Sequence, residues 1–520
     1  MKKSYLMLVV LVLVFTLLLT GCTQPSEDTI TDDPAVPSEM VVGIPSIAST
    51  FEFFTCVNGY ESFSLAQVYD TLVTKDAEGN IIPSLAESFE FSDDATVITF
   101  KLRQGVKWSN GTEFTAEDVK FSIEGLMNSD YTSWVYGGVV SEVNILDPYT
   151  VELVLSKPSI GILQYLTDPY YAVVVSKAAY EEFGDSYGTT ADTIVGTGPY
   201  TVTEWVQGQY ILYTANEDYF LGAPAVKSVR LKVLADVNTA IVALQTGEIH
   251  AYFDSIPGIS YEDVEAAQNV NLVEFASTIL YASFLNVQSE MFSDLRMRQA
   301  VAYAVDRNNM VLVGSEGYGA VADYPGNRQG NTIGDPGLSG IWPAPDLEAA
   351  KALIQEAGYE GATVTIKTYA TNPYPALATV MQDALTAVGL DAKIMQMERS
   401  ALIDEVMNKG DFEICIVRWA ASTEDMDEII YNSLHTSAIG PSGNWSFYSN
   451  PDLDVMIEAA ASETDPAVRE EIYAQIIEVF VDEVIYIPLY YPNGSRAYSD
   501  NLSIEDGNVR YDKFFNFSWK

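Results

Sequence analysis

The chain has 520 residues, 48% of them apolar, which is more than one ordinary domain holds and predicts two or three domains with real cores. Acids outnumber bases 72 to 27, a formal charge of −45, and a surface of that sign repels nucleic acid and anionic lipid headgroups, excluding both as partners. Two histidines and three cysteines exclude a histidine-rich metal centre and a disulfide framework.

The N-terminus carries Lys2-Lys3, an apolar run from Tyr5 to Leu19, and Leu19-Thr20-Gly21-Cys22. That run is shorter than the ~20 residues of a spanning helix, so residues 1–21 read as a signal peptide. The Leu-x-Gly-Cys ending resembles the lipobox of bacterial lipoproteins. The resemblance implies that Cys22 becomes the lipid-carrying mature N-terminus and holds the protein at the membrane. Residues 22–40 are polar, acidic and proline-bearing, which suits a flexible tether.

Met40–Ile44 is a short apolar strand, followed by an aromatic loop with Phe51, Phe53 and Phe54 and a helical segment over Ser62–Tyr69. Val97–Arg103 alternates, with Ile98, Phe100 and Leu102 on one side, as a half-buried strand does. Thr115 and Asp118 have capping-box spacing, and Val119, Ile123 and Leu126 continue as a helix. Asn128–Val139 reads as a loop holding Tyr131, Trp134 and Tyr136. Tyr149–Leu155 is a second alternating strand, and Leu163–Val175 is apolar, with Tyr170 and Tyr171. The turn Val195-Gly196-Thr197-Gly198-Pro199-Tyr200 feeds a strand rather than a helix N-terminus, so it is structural and no phosphate loop.

In the second half, helices are predicted over Ser293–Val313, Asp346–Ala357, Ala376–Val388 and Ala401–Lys409, with strands at Thr363–Tyr369, Ala392–Met397 and Phe412–Ala420. Such βαβαβ alternation makes a mainly parallel α/β sheet. A long helix starts at Asp465-Pro466, and Ile485–Tyr491 returns as strand.

No HExxH, paired CxxC, GxSxG or Walker loop occurs, and acid pairs such as Asp93-Asp94 are expected by chance among 72 acids. Catalysis therefore has no candidate residues, and no cofactor or metal is expected. The 32 Tyr, 22 Phe and 7 Trp suit a buried small-molecule cleft as well as a large core. Ligands of open α/β sheets sit beyond the carboxyl ends of strands, which points to Arg418 and Trp419 at the end of Phe412–Ala420.

The runs YDTLV, PSLAESF, TFKLRQGVKWSNGTEFTAEDVKFS, VGTGPY and RMRQAVAYAVDR resemble, in order, the extracytoplasmic solute-binding proteins of peptide/nickel-type ABC importers. The resemblance implies a two-lobed, type II periplasmic-binding-protein-like α/β fold with a third domain, a ligand cleft between the lobes and closure about a hinge. By that resemblance lobe I comprises residues 41–70, 176–275 and 489–520, the accessory domain residues 71–175, and lobe II residues 276–488. Peptide-binding members carry an acid three residues after the tryptophan, where it pairs with the α-amino group of the peptide. Here Trp419 is followed by Ser422 at that position, with Glu424 and Asp425 the nearest acids. The resemblance adds Trp134, Tyr170 and Tyr171 as cleft aromatics and Tyr281 and Asn286 on a crossing strand. Phe53 and Phe54 complete the candidates, with His435 and Asn444 weaker. It implies a monomer that delivers a small ligand, short peptides first, to permease subunits in the membrane. A surface sensor, or a binder of a metal chelate or sugar, is the alternative.

Overall fold

The computed structural model describes residues 38–55, 59–76, 79–129, 131–325, 340–420, 425–504 and 513–520. Cys22, Cys56, Ser422 and Glu424, the signal peptide and nearly all of the tether lie outside the described residues. All of the described chain beyond Ser38 belongs to one unit, Glu39–Lys520.

The axis of that unit is the strand Tyr486–Ser499. Its first half runs antiparallel to Ile279–Leu285, with Tyr490 opposite Tyr281 and Tyr486 opposite Phe284. Its second half runs antiparallel to Val270–Ala276, with Asn493 opposite Ala276 and Ser499 opposite Val270. A sheet of twelve strands extends on both sides of this axis. One side continues through Ile279–Leu285, Ile414–Ala420, Thr363–Tyr369 and Asp391–Met397; the other through Ala251–Tyr252, Met40–Ile44, Ser228–Val233, Tyr210–Ala215 and Tyr200–Val206.

The strands Thr363–Tyr369, Asp391–Met397 and Ile414–Ala420 are mutually parallel, as the alternating pattern predicted. Tyr374–Ala387 forms one crossover. Ile414, Cys415, Ile416 and Val417 are all buried, because helices cover a parallel sheet on both faces.

Two large apolar clusters lie on either side of the axis. One draws on residues between Leu280 and Tyr491. The other draws on residues between Met40 and Leu231, together with Ala251, Phe253, Leu502, Phe514 and Phe517. A small third cluster surrounds the helix Val237–Gln245.

Within the second cluster, Ala86–Phe91, Val97–Leu102, Thr150–Leu155 and Val140–Asp147 form a separate antiparallel sheet. Ile98, Phe100 and Leu102 turn inward, as their alternation requires. The helix Ala116–Asn128 covers it, starting at the reciprocal Thr115–Asp118 capping box. Asp118 also accepts from the Trp108 indole and from the backbone of Lys177.

The Tyr69-Asp70-Thr71 run is equally committed. Buried Asp70 accepts from Lys513 Nζ at 2.7 Å, Tyr219 Oη at 2.9 Å and Thr197 Oγ1 at 3.0 Å. Gly196 and Gly198 let the chain pass over Val68, where a Cβ would meet the Val68 carbonyl group at 2.0 and 2.4 Å.

Three predicted elements are corrected. The helix expected over Ser293–Val313 is two, Leu295–Ala304 and Arg307–Gly314, because Asp306 caps a fresh start by accepting from Asn308 N. The helix expected over Ala401–Lys409 is one turn, Arg399–Leu402, followed by a π segment, Ile403–Asn408. The strand expected to end at Tyr491 continues to Ser499.

Candidate ligand cleft

Three residues from three antiparallel strands form a row: Tyr490, Tyr281 and Arg418. Register puts paired residues on one face of a sheet. Accordingly the Tyr281 and Tyr490 rings stack at 4.7 Å with 5° between planes. Tyr374, at the start of its helix, adds a ring 5.6 Å from Tyr281, and Tyr369 lies 5.0 Å beyond. The Arg399 guanidinium sits 5.9 Å from the centre of the Tyr369 ring. Tyr369 and Arg418 thus lie at the carboxyl ends of two adjacent parallel strands, and Arg399 opens the helical turn just past the third, where the topology of such sheets leaves an open crevice. Burial pushes the phenols of Tyr281, Tyr369 and Tyr374 up, and the positive charge of Arg418 pulls against it at all three.

The other apolar cluster contributes a tyrosine and an acid near its edge. Tyr60, on the helix Gly59–Leu65, donates to Asp254 Oδ2 at 3.3 Å. Burial and Asp254 push the Tyr60 phenol up, while Arg496 and Arg418 pull it down. Arg418, rooted in one cluster, therefore acts on a tyrosine rooted in the other. Tyr170 and Tyr171 follow behind: their short helix Pro169–Ala172 packs on the helix of Tyr60, and their rings meet edge to face at 4.6 Å.

A second crossing closes the flank. The Asp427 carboxylate lies 3.2 Å from where a Cβ on Gly161 would stand, and Lys157 Nζ lies 5.5 Å from the centre of the Tyr431 ring. Burial, then the neighbouring Asp425, raises the Asp427 carboxyl to about 6; Arg469 and Lys157 oppose the rise.

The remaining sequence candidates scatter. Asp425 is buried, caps the helix Met426–Leu434 and is gripped by Arg469 through two 2.8 Å bonds, so its charge is already matched. Trp419 points to the other sheet face, half-buried against Trp445 at 4.7 Å, and its buried indole N–H has no partner among the described residues. Asn286 stands five residues from Tyr281, about 17 Å along an extended strand. Its amide holds the Gly410 and Phe412 carbonyls. A recess of about 650 Å³ opens beside it, lined by Thr365, Lys367, Lys409 and Phe447 among others, at the far end of the sheet from Arg418.

Phe53 is buried, and Phe54 fits against Gly125, Phe121 and Tyr180, both inside the N-terminal core. Trp134 lies in the short helix Ser133–Tyr136, and its side chain is outside the described residues. His435 stacks on Tyr431, and the Asn444 amide holds three backbone carbonyls. Among the described residues no three His, Cys, Asp or Glu side chains gather as a metal site.

The structure adds Tyr60, Asp254, Arg399, Arg496, Tyr369 and Tyr374, none of which stands in a recognisable motif. Scarcity is the signal that points to the arginines: a chain with 72 acids supplies partners for most of its cations.

Residues 80–441 match the family described as bacterial extracellular solute-binding proteins, family 5 Middle. The oligopeptide-binding protein AppA of Bacillus subtilis is 27% identical over 546 residues, covering 96% of both chains. The glutathione-binding protein GsiB of Escherichia coli K12 is 28% identical, covering 89% of this chain and 91% of that one. HbpA2 from Haemophilus parasuis superposes with a TM-score of 0.82 at 24% identity, covering 93% of this chain and all of that one. The periplasmic binding protein DppA from Helicobacter pylori, in complex with the peptide STSA, gives 0.75 at 26% identity over 92% and 98% of the two chains. The chain belongs to the family 5 extracellular solute-binding proteins, with their two-lobed α/β fold, and is a binding protein rather than an enzyme.

Proposed function

We propose that this protein is the receptor subunit of an ABC importer, anchored outside the cytoplasm by lipid on Cys22. It captures a small solute between two lobes and delivers it to membrane permease subunits. The observation that carries this reading is the pair of apolar clusters on either side of the axis strand, with Tyr281, Tyr374, Tyr369 and Arg418 gathered at the strand ends of one of them. The axis strand and the stretch Val270–Leu285 are the two covalent crossings between those clusters, which suits closure about a hinge. The lobe boundaries expected from the sequence are supported by the separation of the apolar clusters, since one begins at Leu280 and the other draws on residues before Leu231 and after Leu502.

Short peptides are the first solute class, since AppA is an oligopeptide-binding protein and DppA was solved with the peptide STSA. One residue favours a second class, solutes without an ammonium group: Ser422 replaces the acid that holds the peptide amine in peptide-binding members. Native mass spectrometry of the mature protein, followed by calorimetry against a casein hydrolysate, tests the reading. A co-purified solute, or saturable heat with one site, is expected. An empty protein with no heat from the hydrolysate sinks the peptide assignment. Cys22→Ala should move the protein from the membrane to the soluble fraction.

A further inference from the structure

Beside the axis strand, two loops rooted in different clusters are fastened to each other. On one edge of that strand Gly319–Val321 pairs with residues 490–492, and Ala251–Tyr252 pairs with residues 497–498. The stretch between them takes bonds from both neighbouring loops. Asn493 N–H donates to the Tyr318 carbonyl at 3.0 Å. Buried Ser495 Oγ accepts from Ile256 N–H at 2.8 Å. Gly494 separates the two anchors.

The loops then meet. Gly258 lies under the Tyr318 ring, where a Cβ would stand 2.2 Å from it, so only glycine permits the approach. Tyr261 is buried and its ring lies 4.3 Å from that of Tyr318. Tyr318 therefore packs on the small cluster around Val237–Gln245, although its loop follows the helix Arg307–Gly314, whose Met310 and Val311 belong to the C-terminal cluster. Glu316 Oε2 accepts from Ile259 N–H at 2.5 Å. Glu316 reaches it from a left-handed backbone, φ 57°, followed by Gly317 at 91°. Glycine holds such a position without strain and a glutamate does not.

A chance surface contact would explain an exposed carboxylate on a backbone N–H. It does not explain a strained glutamate, a glycine that makes room for a tyrosine, and a ring seated in the other cluster, all within one pair of loops. Strain of this kind persists where the surroundings hold it, and it points to a role.

We infer that Glu316 and Tyr318, closed on the turn Gly258-Ile259, form a clasp that biases the two halves toward the arrangement in which Asp427 lies against Gly161. The anchors of the clasp sit at Asn493 and Ser495, so a bend of the axis strand at Gly494 moves one loop relative to the other. A contact made in one arrangement and lost in the other shifts the balance by its own free energy. The apparent affinity for a solute follows the fraction of molecules in the competent arrangement, so residues outside the cleft tune it. The assignment rests on the two-lobed fold and not on the identity of any solute.

The test measures the distance between spin labels at the exposed Val242 and Val455, in full-length protein without Cys22 and Cys56 and with no solute added. Glu316→Gly removes the carboxylate and relieves the left-handed position, so the melting temperature should hold while the distribution lengthens and broadens. Tyr318→Ala should lengthen it further, and Tyr318→Phe, which keeps the ring, should match the parent. Affinity for casein peptides should fall about threefold in Glu316→Gly and about tenfold in Tyr318→Ala. An unchanged or shortened distribution in Glu316→Gly overturns the clasp whatever Tyr318→Ala does to folding. A parent that binds no peptide counts against the peptide assignment alone, because the distances are read without solute.

Discussion

Two regions of the molecule treat their polar groups in opposite ways. Around Tyr69–Glu124, the buried polar side chains of the motifs are used by the fold. Asp70 takes three donors, Asp118 closes a helix cap and accepts an indole N–H, and Arg103 holds the Ser84 carbonyl. At the strand ends near Arg418 the reverse holds. Among the described residues, the Arg399 and Arg418 guanidinium groups meet no carboxylate and the buried Trp419 N–H has no partner. Buried polar groups are ordinarily satisfied. The first region is recognisable because it must be built one way; the second is free to receive something else.

The sharpest way to break this contrast is to attack the committed region. Asp70→Ala leaves Lys513 and two hydroxyls without their acceptor, and loss of about 3–5 kcal/mol is expected in chemical denaturation. A loss below ~1 kcal/mol would mean the network is dispensable. Gly196→Ala comes next. Its Cβ would stand 2.0 Å from the Val68 carbonyl oxygen, where backbone must move, so about 1–3 kcal/mol is expected.

Much of this was legible in the sequence, and the reasons are local. Val97–Leu102 shows its pleat by alternation, Thr115–Asp118 shows its cap by spacing, and the C-terminal α/β unit shows itself by strands alternating with helices, with Ile414–Val417 an apolar run. The axis strand was read short because Pro492-Asn493-Gly494 is a turn signal. Long-range pairing overrides it: Pro492 lies opposite Gly319, and Gly494 leaves room for Phe275, whose ring would meet a Cβ at 2.5 Å. The Val140–Asp147 strand was missed because its exposed residues outnumber its buried ones. The cleft was legible only in part. Arg418 and Tyr281 sit on strands that the pattern identified. Tyr60, Asp254 and Arg496 are brought together from segments hundreds of residues apart, and no spacing encodes that meeting.

In the uncommitted region the effects fall on binding more than on stability. Trp419→Phe keeps the ring against Trp445 and removes the unpartnered N–H. Because the indole lies on the sheet face away from Arg418, affinity for the casein peptides and the melting temperature should both hold, and an affinity about tenfold lower by calorimetry would place the N–H on the solute. Unchanged affinity would assign Trp419 to packing alone.

The smallest effect is the flank contact. The carboxyl of Asp427 is raised to about 6, so the buried arrangement takes up a proton that an exposed carboxylate would release. Its contribution is complete below the ordinary carboxylate range and is lost as pH rises through about 6. The closed form should therefore strengthen between pH 7 and 5, and Asp427→Asn should abolish that dependence. A pH profile of small-angle scattering identical in both proteins would rule it out. Asp425, Arg469, Lys157, Tyr473, Tyr165 and Glu428 face the same region and keep their charges and hydroxyls in the variant.

The central claim is that solute binds between the two clusters and draws them together. Spin labels at Val242, on the helix that packs on the Ala251–Tyr252 strand, and at Val455, on the helix Pro451–Ser462 of the other side, both well exposed, report the separation. The background is Cys22→Ala/Cys56→Ser, with the Cys415 thiol buried and left untouched. The account predicts a shorter and narrower distance distribution when casein peptides are bound, and loss of that shift in Arg399→Gln/Arg418→Gln. An unchanged distribution at saturating peptide, with binding confirmed by calorimetry, would contradict it.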